Sequence, residues 1–173
     1  EELAALMVGA EVTAPSFEPT QPGPVLLSLQ DVSTSGEGRA TGLRNVSLDL
    51  RAGQITGLAG VSGNGQGALS DLIAGLEIPA AGEMWLAGST LRSWTPRAAI
   101  AEGIARIPED RHHTGTIADF NLTENAILET YRSGFSKGGW MNWPDARRFA
   151  GDLIDKYDVR CPGRDTRIRL LSG

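Results

Sequence analysis

Residues 57–69 read GLAGVSGNGQGAL. From Gly60 to Gly65 the stretch fits the opening of the phosphate-cradling pattern G-x-x-x-x-G-K-[ST]. The next two positions depart from it, with Gln66 where a lysine belongs and Gly67 where a Ser or Thr belongs. The chemistry at stake is anion binding by the main chain. Gly60, Gly63, Gly65 and Gly67, interleaved with Val61, Ser62 and Asn64, let amide N–H groups turn inward with no Cβ in the way. A helix from Ala68 onward would add the favourable partial charge of its N-terminus. A lysine would reach the outer phosphates through charge-assisted bonds worth about 1.5–3 kcal/mol each. Gln66 can donate only neutral bonds, and Gly67 has no hydroxyl for magnesium, a recurring part of phosphoryl transfer. The loop therefore reads as a nest that still accepts phosphate and as a poor place for hydrolysis. A plain tight turn between core elements is the alternative that the loop alone leaves open.

A second pattern overlaps the first. Gly63-x-Gly65-x-x-Ala68 matches a dinucleotide fingerprint, and Glu83 stands near the position of a ribose-binding acid. Such a fingerprint usually follows a domain's first strand, whereas two strand candidates come earlier here. Other chemical residues are sparse. His112 and His113 are adjacent in a polar loop, so their side chains diverge, and with Cys161 distant they form no metal site of the usual ligand count. Cys161, beside Pro162, carries no mark of a nucleophile. Arg106, Arg111, Arg147 and Arg148 read for the most part as solvated surface, with phosphate or acidic partners as the alternative. Trp85 reads as core and Trp94 as a staple before a helix. Trp140 and Trp143 read as core filling or helix entry, with a docking surface for a membrane partner as the alternative.

The elements that must hold the loop follow from hydrophobic patterning. VLLSLQDV and NVSLDL read as strands, with a turn at Gly53. ITGLAG reads as a short apolar strand feeding the loop, ALSDLIAG as a helix ending at Gly75, and GEMWLAG as another strand. Thr95 can cap a helix that has Pro96 in its first position. IARI reads as a strand, PEDRHHTG as a polar loop and LTENAILETY as a helix. Ala146, Phe149, Ala150, Leu153, Ile154 and Tyr157 form a helical stripe opened by Pro144. Before all this, LAALMV could close a helix at Gly9, and TAPSFEPTQPGP reads as an extended linker. The sum is an α/β domain with a β-rich N-terminal part and a helical portion.

Bulk properties bound the function. The chain has 173 residues, 40% apolar and 21% charged, with a net charge of −5. An acidic balance gives no reason to expect nucleic acid. No apolar run is long enough for a membrane span, no secretion leader is seen, and a single cysteine fits a reducing compartment. The start without Met and the stop at Gly173 suggest a piece of a longer polypeptide.

The order of LSLQDVS, LRNVSLDLRAGQITGLAGVSGNGQGAL, GIARIPEDR and a terminal LLSG resembles the ATPase domain of ATP-binding-cassette (ABC) transporters, a P-loop NTPase fold. More narrowly, GVSGNGQ, PEDR and YDVR resemble the second half of the fused ATPase subunits of bacterial importers for simple sugars and nucleosides. The resemblance covers residues 25–173, from the phosphate loop to the signature motif, and makes residues 1–24 the tail of a preceding half plus a linker. It implies ATP, with magnesium weak or absent, at residues 60–68. It puts Glu109 where relatives carry a glutamine that senses magnesium and the membrane partner, and an ionised carboxylate cannot donate as glutamine does. Leu171, Ser172 and Gly173 match the start of the signature, which serves ATP held by the other ATPase half of the same subunit. No aromatic for stacking adenine is evident in VSTSGEG. The acidic motif and switch histidine would follow Gly173, so these residues alone are expected to be inactive and none is assigned as catalytic. Transmembrane permease subunits are the implied partners, on the cytoplasmic face of the plasma membrane. Strands from beyond Gly173 would lie between ITGLAG and IARI, which predicts an incomplete core, marginal stability and a tendency to swap or dimerise. A structural module without nucleotide and a dinucleotide-dependent enzyme are the competing functions.

Overall fold

A computed structural model describes residues 21–36, 41–91 and 93–171. The proposed helix at LAALMV, most of the linker, Ser172 and Gly173 lie outside these residues. The chain divides into two compact units at Thr95 and Pro96.

The first unit is built on a four-stranded antiparallel sheet in the order β2-β1-β3-β4, with β1 Val25–Ser33, β2 Val46–Arg51, β3 Ala81–Leu86 and β4 Ser89–Thr90. β1 is central, and its alternation sets the core. Leu27, Leu29 and Val32 are buried, and they stand opposite Leu50, Leu48 and Val46 of β2. On the other side Leu29 meets Met84 and Leu27 meets Leu86 of β3. Facing apolar pairs of this kind fix strand register, because a slip of one residue would turn them all to solvent. The glycine loop leads into helix α1, Gln66–Ile73, which buries Ala68, Leu69 and Leu72. Trp94 is buried, and its indole N–H donates to the Ile73 carbonyl at 3.0 Å, tying the chain after β4 to the end of α1.

Two expected strands are absent. Residues 54–60 and 104–107 belong to no ladder among the described residues, and Ile55 is 97% exposed and Ile107 88%. An isolated apolar segment gains nothing from extended backbone. It needs neighbours on both sides to pair its amides and cover its faces, and no described strand flanks either segment. All observed ladders are antiparallel.

The second unit is mainly helical. It holds α2 Pro96–Ala101, a π-helical turn Arg111–Gly115, α3 Leu122–Ala126, α4 Tyr131–Gly134, the hairpin β5 Ser136–Lys137 and β6 Trp140–Met141, α5 Trp143–Lys156 and a 3-10 turn Ile168–Leu170. The polar loop PEDRHHTG thus contains a helical turn, because Asp110 caps it by accepting from the His112 and His113 amides. LTENAILETY gives a helix of only five residues, Leu122–Ala126, opened by a capping box, and its last residue, Tyr131, begins α4. The Asn121 side chain accepts from the Glu124 amide at 2.9 Å, and the Glu124 carboxylate accepts from the Asn121 amide at 2.8 Å. Asn121→Ala removes that cap and is expected to cost about 1 kcal/mol, read as a lower midpoint in urea unfolding with an unchanged slope.

Helix α5 buries Ala146 and Ala150 and packs against α3. Its outer stripe is looser than the spacing implied. Phe149 is tilted against Phe135 with ring centroids 5.2 Å apart, while Tyr157 remains exposed at the helix end. Trp140 departs from the core-filling expectation. It lies in the two-stranded hairpin, 84% exposed, because a lone hairpin has no second layer to receive it. Trp143 enters the first turn of α5 and is partly exposed. Trp85 is half-buried on β3.

Candidate functional site

The turn after residue 60 is set by sequence. Val61, Ser62, Gly63 and Asn64 close a turn through an Asn64 N–H to Val61 carbonyl bond of 3.3 Å. Gly63, at its third position, has φ 88°, which a type II turn requires and a side chain resists. Gly65 then takes φ 98° and ψ −5° as the N-cap of α1. A Cβ on Gly65 would lie 3.4 Å from the Leu43 Cδ2. Leu43 is itself held by the Thr34 side chain and by the Thr34 amide, so the segment after β1 lies against the loop and fixes where α1 starts.

At that start Leu69 N–H donates to the Gly65 carbonyl at 2.9 Å, the first bond of the helix. The amides of Gln66, Gly67 and Ala68 therefore have no intrahelical acceptor. No side chain caps them, and the first turn carries no acidic residue. Donors, dipole and absence of negative charge together make a place where an anion is stabilised. Residues 60–64 are exposed to solvent, so nothing in the first unit seals the mouth.

The residues fit a phosphate group in their main chain. They do not fit magnesium, since residue 67 offers no oxygen beyond its backbone. Gln66, expected to donate only neutral bonds, makes them within the loop itself. Its Nε2 donates to the Val61 carbonyl at 3.0 Å, and its Oε1 accepts the Asn64 N–H at 3.1 Å. Sequence reading missed this contact, although a glutamine between Gly65 and Gly67 was the available signal.

Glu109 and Leu171 belong to the second unit. Glu109 is exposed just before the Asp110-capped turn. Leu171 is half-buried and donates its amide to the Ile168 carbonyl at 3.0 Å. The chain leading to it is tied down along its length. Leu122 N–H donates to the Thr166 carbonyl, Thr123 N–H to Arg164, Ile168 N–H to Phe120 and Arg169 N–H to Ala118. Asn125 fastens the facing loop by accepting from the Ile117 amide at 2.8 Å and donating to the Ile117, Phe120 and Asn121 carbonyls. A cleft of about 720 Å³ in this unit is lined by Gly151, Asp155, Arg164 and neighbours, and neither Glu109 nor Leu171 lines it.

The dinucleotide pattern finds no matching context. Glu83 lies on β3, antiparallel to β1 and opposite Gln30, and residues 55–59 join no ladder. That fingerprint requires a parallel strand-helix-strand unit around it. Among the described residues no group of three or more His, Cys, Asp or Glu could hold a metal ion, and no helix is long and apolar enough to cross a membrane.

A sequence profile described as ABC transporter matches residues 43–160. Curated relatives include the guanosine import ATP-binding protein NupO of Bacillus subtilis, 37% identical over 100% of this chain and 34% of its own length. The glucose import ATP-binding protein TsgD13 of Haloferax volcanii is 37% identical over 92% of this chain and 29% of its own. The ribose import ATP-binding protein RbsA of Halalkalibacterium halodurans is 33% identical over 100% and 34%. The chain thus spans about a third of the length of these relatives. Among solved structures, the ATP-binding cassette MJ0796, a dimer bound to ADP and Pi, aligns with a TM-score of 0.63 at 16% identity, covering 85% of this chain and 63% of that one. A bacterial Atm1-family ABC exporter with ATP bound aligns at 0.58 and 23% identity, covering 99% and 30%. At such identities the structural likeness shows the fold alone, a P-loop ATPase fold present in part.

Proposed function

The chain belongs to the ABC transporter family, and from that membership we propose that it is a nucleotide-binding part of an importer for sugars or nucleosides, with a phosphate loop that binds ATP weakly. The observation carrying this reading is the start of α1. An uncapped helix end with no acidic residue follows a glycine turn, and the lysine and hydroxyl that would hold a triphosphate and magnesium are replaced by Gln66 and Gly67. Main-chain donors at residues 60–68 attract phosphate. Without a cation the affinity falls by about tenfold for each 1.4 kcal/mol lost.

In this reading residues 1–24 are the end of a preceding half and a linker, and residues 25–173 run from the first strand of the ATPase domain to its signature. Leu171, Ser172 and Gly173 serve ATP bound by the partner half, and Glu109 replaces the glutamine that would sense metal and membrane partner. ATP-driven closure of the two halves then moves permease subunits at the cytoplasmic face of the membrane, through the difference in ATP affinity between open and closed states. The relatives' names divide among guanosine, glucose and ribose, which supports the solute class and no single solute.

Titration of the chain with ATP, with and without magnesium, tests the loop. Weak binding that changes little when the metal is chelated is the expected result. Tight, metal-dependent ATP binding would refute the degenerate loop, binding of NAD would restore the dinucleotide reading, and no binding of any nucleotide would favour a structural module.

A further inference from the structure

The cradle is filled by its own side chain. The Gln66 amide spans the loop from the Val61 carbonyl to the Asn64 N–H. It also lies over Gly60, where a Cβ would come within 2.6 Å of Nε2. We infer that Gln66 is a reversible self-cap of this loop, which sets phosphate affinity by competing with the ligand for the Asn64 donor. The inference rests on reading the loop as a phosphate cradle.

The chemistry is a substitution of acceptors. Gln66 Oε1 holds the Asn64 N–H as a phosphate oxygen would, without its charge. One N–H of Gln66 Nε2 is meanwhile taken by the Val61 carbonyl, so the side chain has only its second N–H left to offer an incoming anion. A phosphate that takes the Asn64 amide must displace Gln66 Oε1 from it, and it shares that N–H with the longer turn bond to the Val61 carbonyl. Neutral bonds near the surface are individually weak and charge-assisted ones are about twice as strong, so an anion displaces the cap at sufficient concentration. Until then the apparent affinity is reduced by the fraction of loops that are open. This effect is separate from the missing lysine. Lysine's absence removes an attraction, whereas the cap adds a competitor that a smaller side chain at position 66 would not supply.

Gly60 gives an independent handle. Its φ does not lie in the positive range that side chains avoid, and a methyl group there would meet only the Gln66 Nε2 and Cδ. The far end of a flexible side chain yields more easily than backbone. Gly60→Ala therefore evicts the Gln66 amide and leaves the turn intact.

The test uses the 173-residue chain with Gln66→Ala, Gly60→Ala and both together. Exchange of the Asn64 amide proton with water is read by heteronuclear NMR in all of them, and inorganic pyrophosphate and ATP are titrated into the parent and Gln66→Ala. Faster Asn64 exchange in each single variant is expected, with no further gain in the double variant. Pyrophosphate affinity should rise about tenfold in Gln66→Ala, the size set by freeing one or two neutral hydrogen bonds. Unchanged Asn64 exchange in Gln66→Ala overturns the cap, whatever the ligands do. Faster exchange with unchanged pyrophosphate affinity overturns the competition and leaves only a local contact. Faster exchange with neither ligand binding parent or variant overturns the phosphate-cradle reading itself, and the competition with it.

Discussion

Gln66→Lys combined with Gly67→Ser, made in the full-length protein, is expected to tighten ATP binding at this loop by about ten- to a hundredfold and to make it depend on magnesium. A charge-assisted bond from a lysine contributes roughly 1.5–3 kcal/mol, and each 1.4 kcal/mol or so is tenfold. Serine supplies the hydroxyl that glycine lacks, at a first-turn position where it costs the helix nothing relative to glycine. The same change also removes the Gln66 amide from its bonds to Val61 and Asn64. Gln66→Ala is therefore the necessary control, because it opens the loop without adding charge. The difference between the two variants measures the lysine and the serine hydroxyl together, without the cap. If the parent already binds ATP as tightly and turns it over as fast at this loop as the double variant, the degenerate reading is wrong.

Much of the first unit was legible because its signals are local. Alternating apolar residues in VLLSLQDV and VSLDL placed β1 and β2, and in the second unit Pro96 opened α2 as its missing N–H allows. The glycines placed the turn, and their positive φ values at Gly63 and Gly65 follow from their type. What escaped was decided by neighbours. ITGLAG and IARI carry apolar residues suited to a buried strand, yet a strand exists only when another pairs with it, and that information is not written in the segment. Trp140 looked like core by composition, and the hairpin that carries it offers nothing to pack against. The Gln66 contact needed geometry. Sequence shows that lysine is absent, but only coordinates show where the replacing amide turns.

In the proposed assembly the two departures in the loop and the signature residues Leu171, Ser172 and Gly173 bear on different nucleotides, and this separates their expected consequences. A change at residue 66 alters affinity at this half's own loop. A change at Ser172, in the proposed assembly, alters chemistry at the other half's loop. Effects at distant sites without shared partners should add in free energy, so a strongly non-additive pair of variants would argue that one nucleotide is shared by both motifs.

Ser172→Ala in the full-length protein is accordingly expected to lower ATP turnover at the partner half's site by about a hundredfold or more, the usual loss when one donor to a developing negative charge is removed. Nucleotide binding at the loop around Gln66 should stay within about twofold. The substitution removes a hydroxyl and little else. The chain up to Leu171 is anchored by the main-chain bonds of residues 166–171 to Ala118, Phe120, Leu122 and Ile168, none of which involves that hydroxyl. A loss of turnover with unaltered unfolding would thus report on chemistry and not on packing. With this half's loop weak, as proposed, background turnover is expected to be low and a hundredfold change readable. Turnover equal to the parent's would remove the role in trans. Loss of binding at the Gln66 loop with partner turnover intact would place Ser172 in its own half, against the head-to-tail arrangement proposed here.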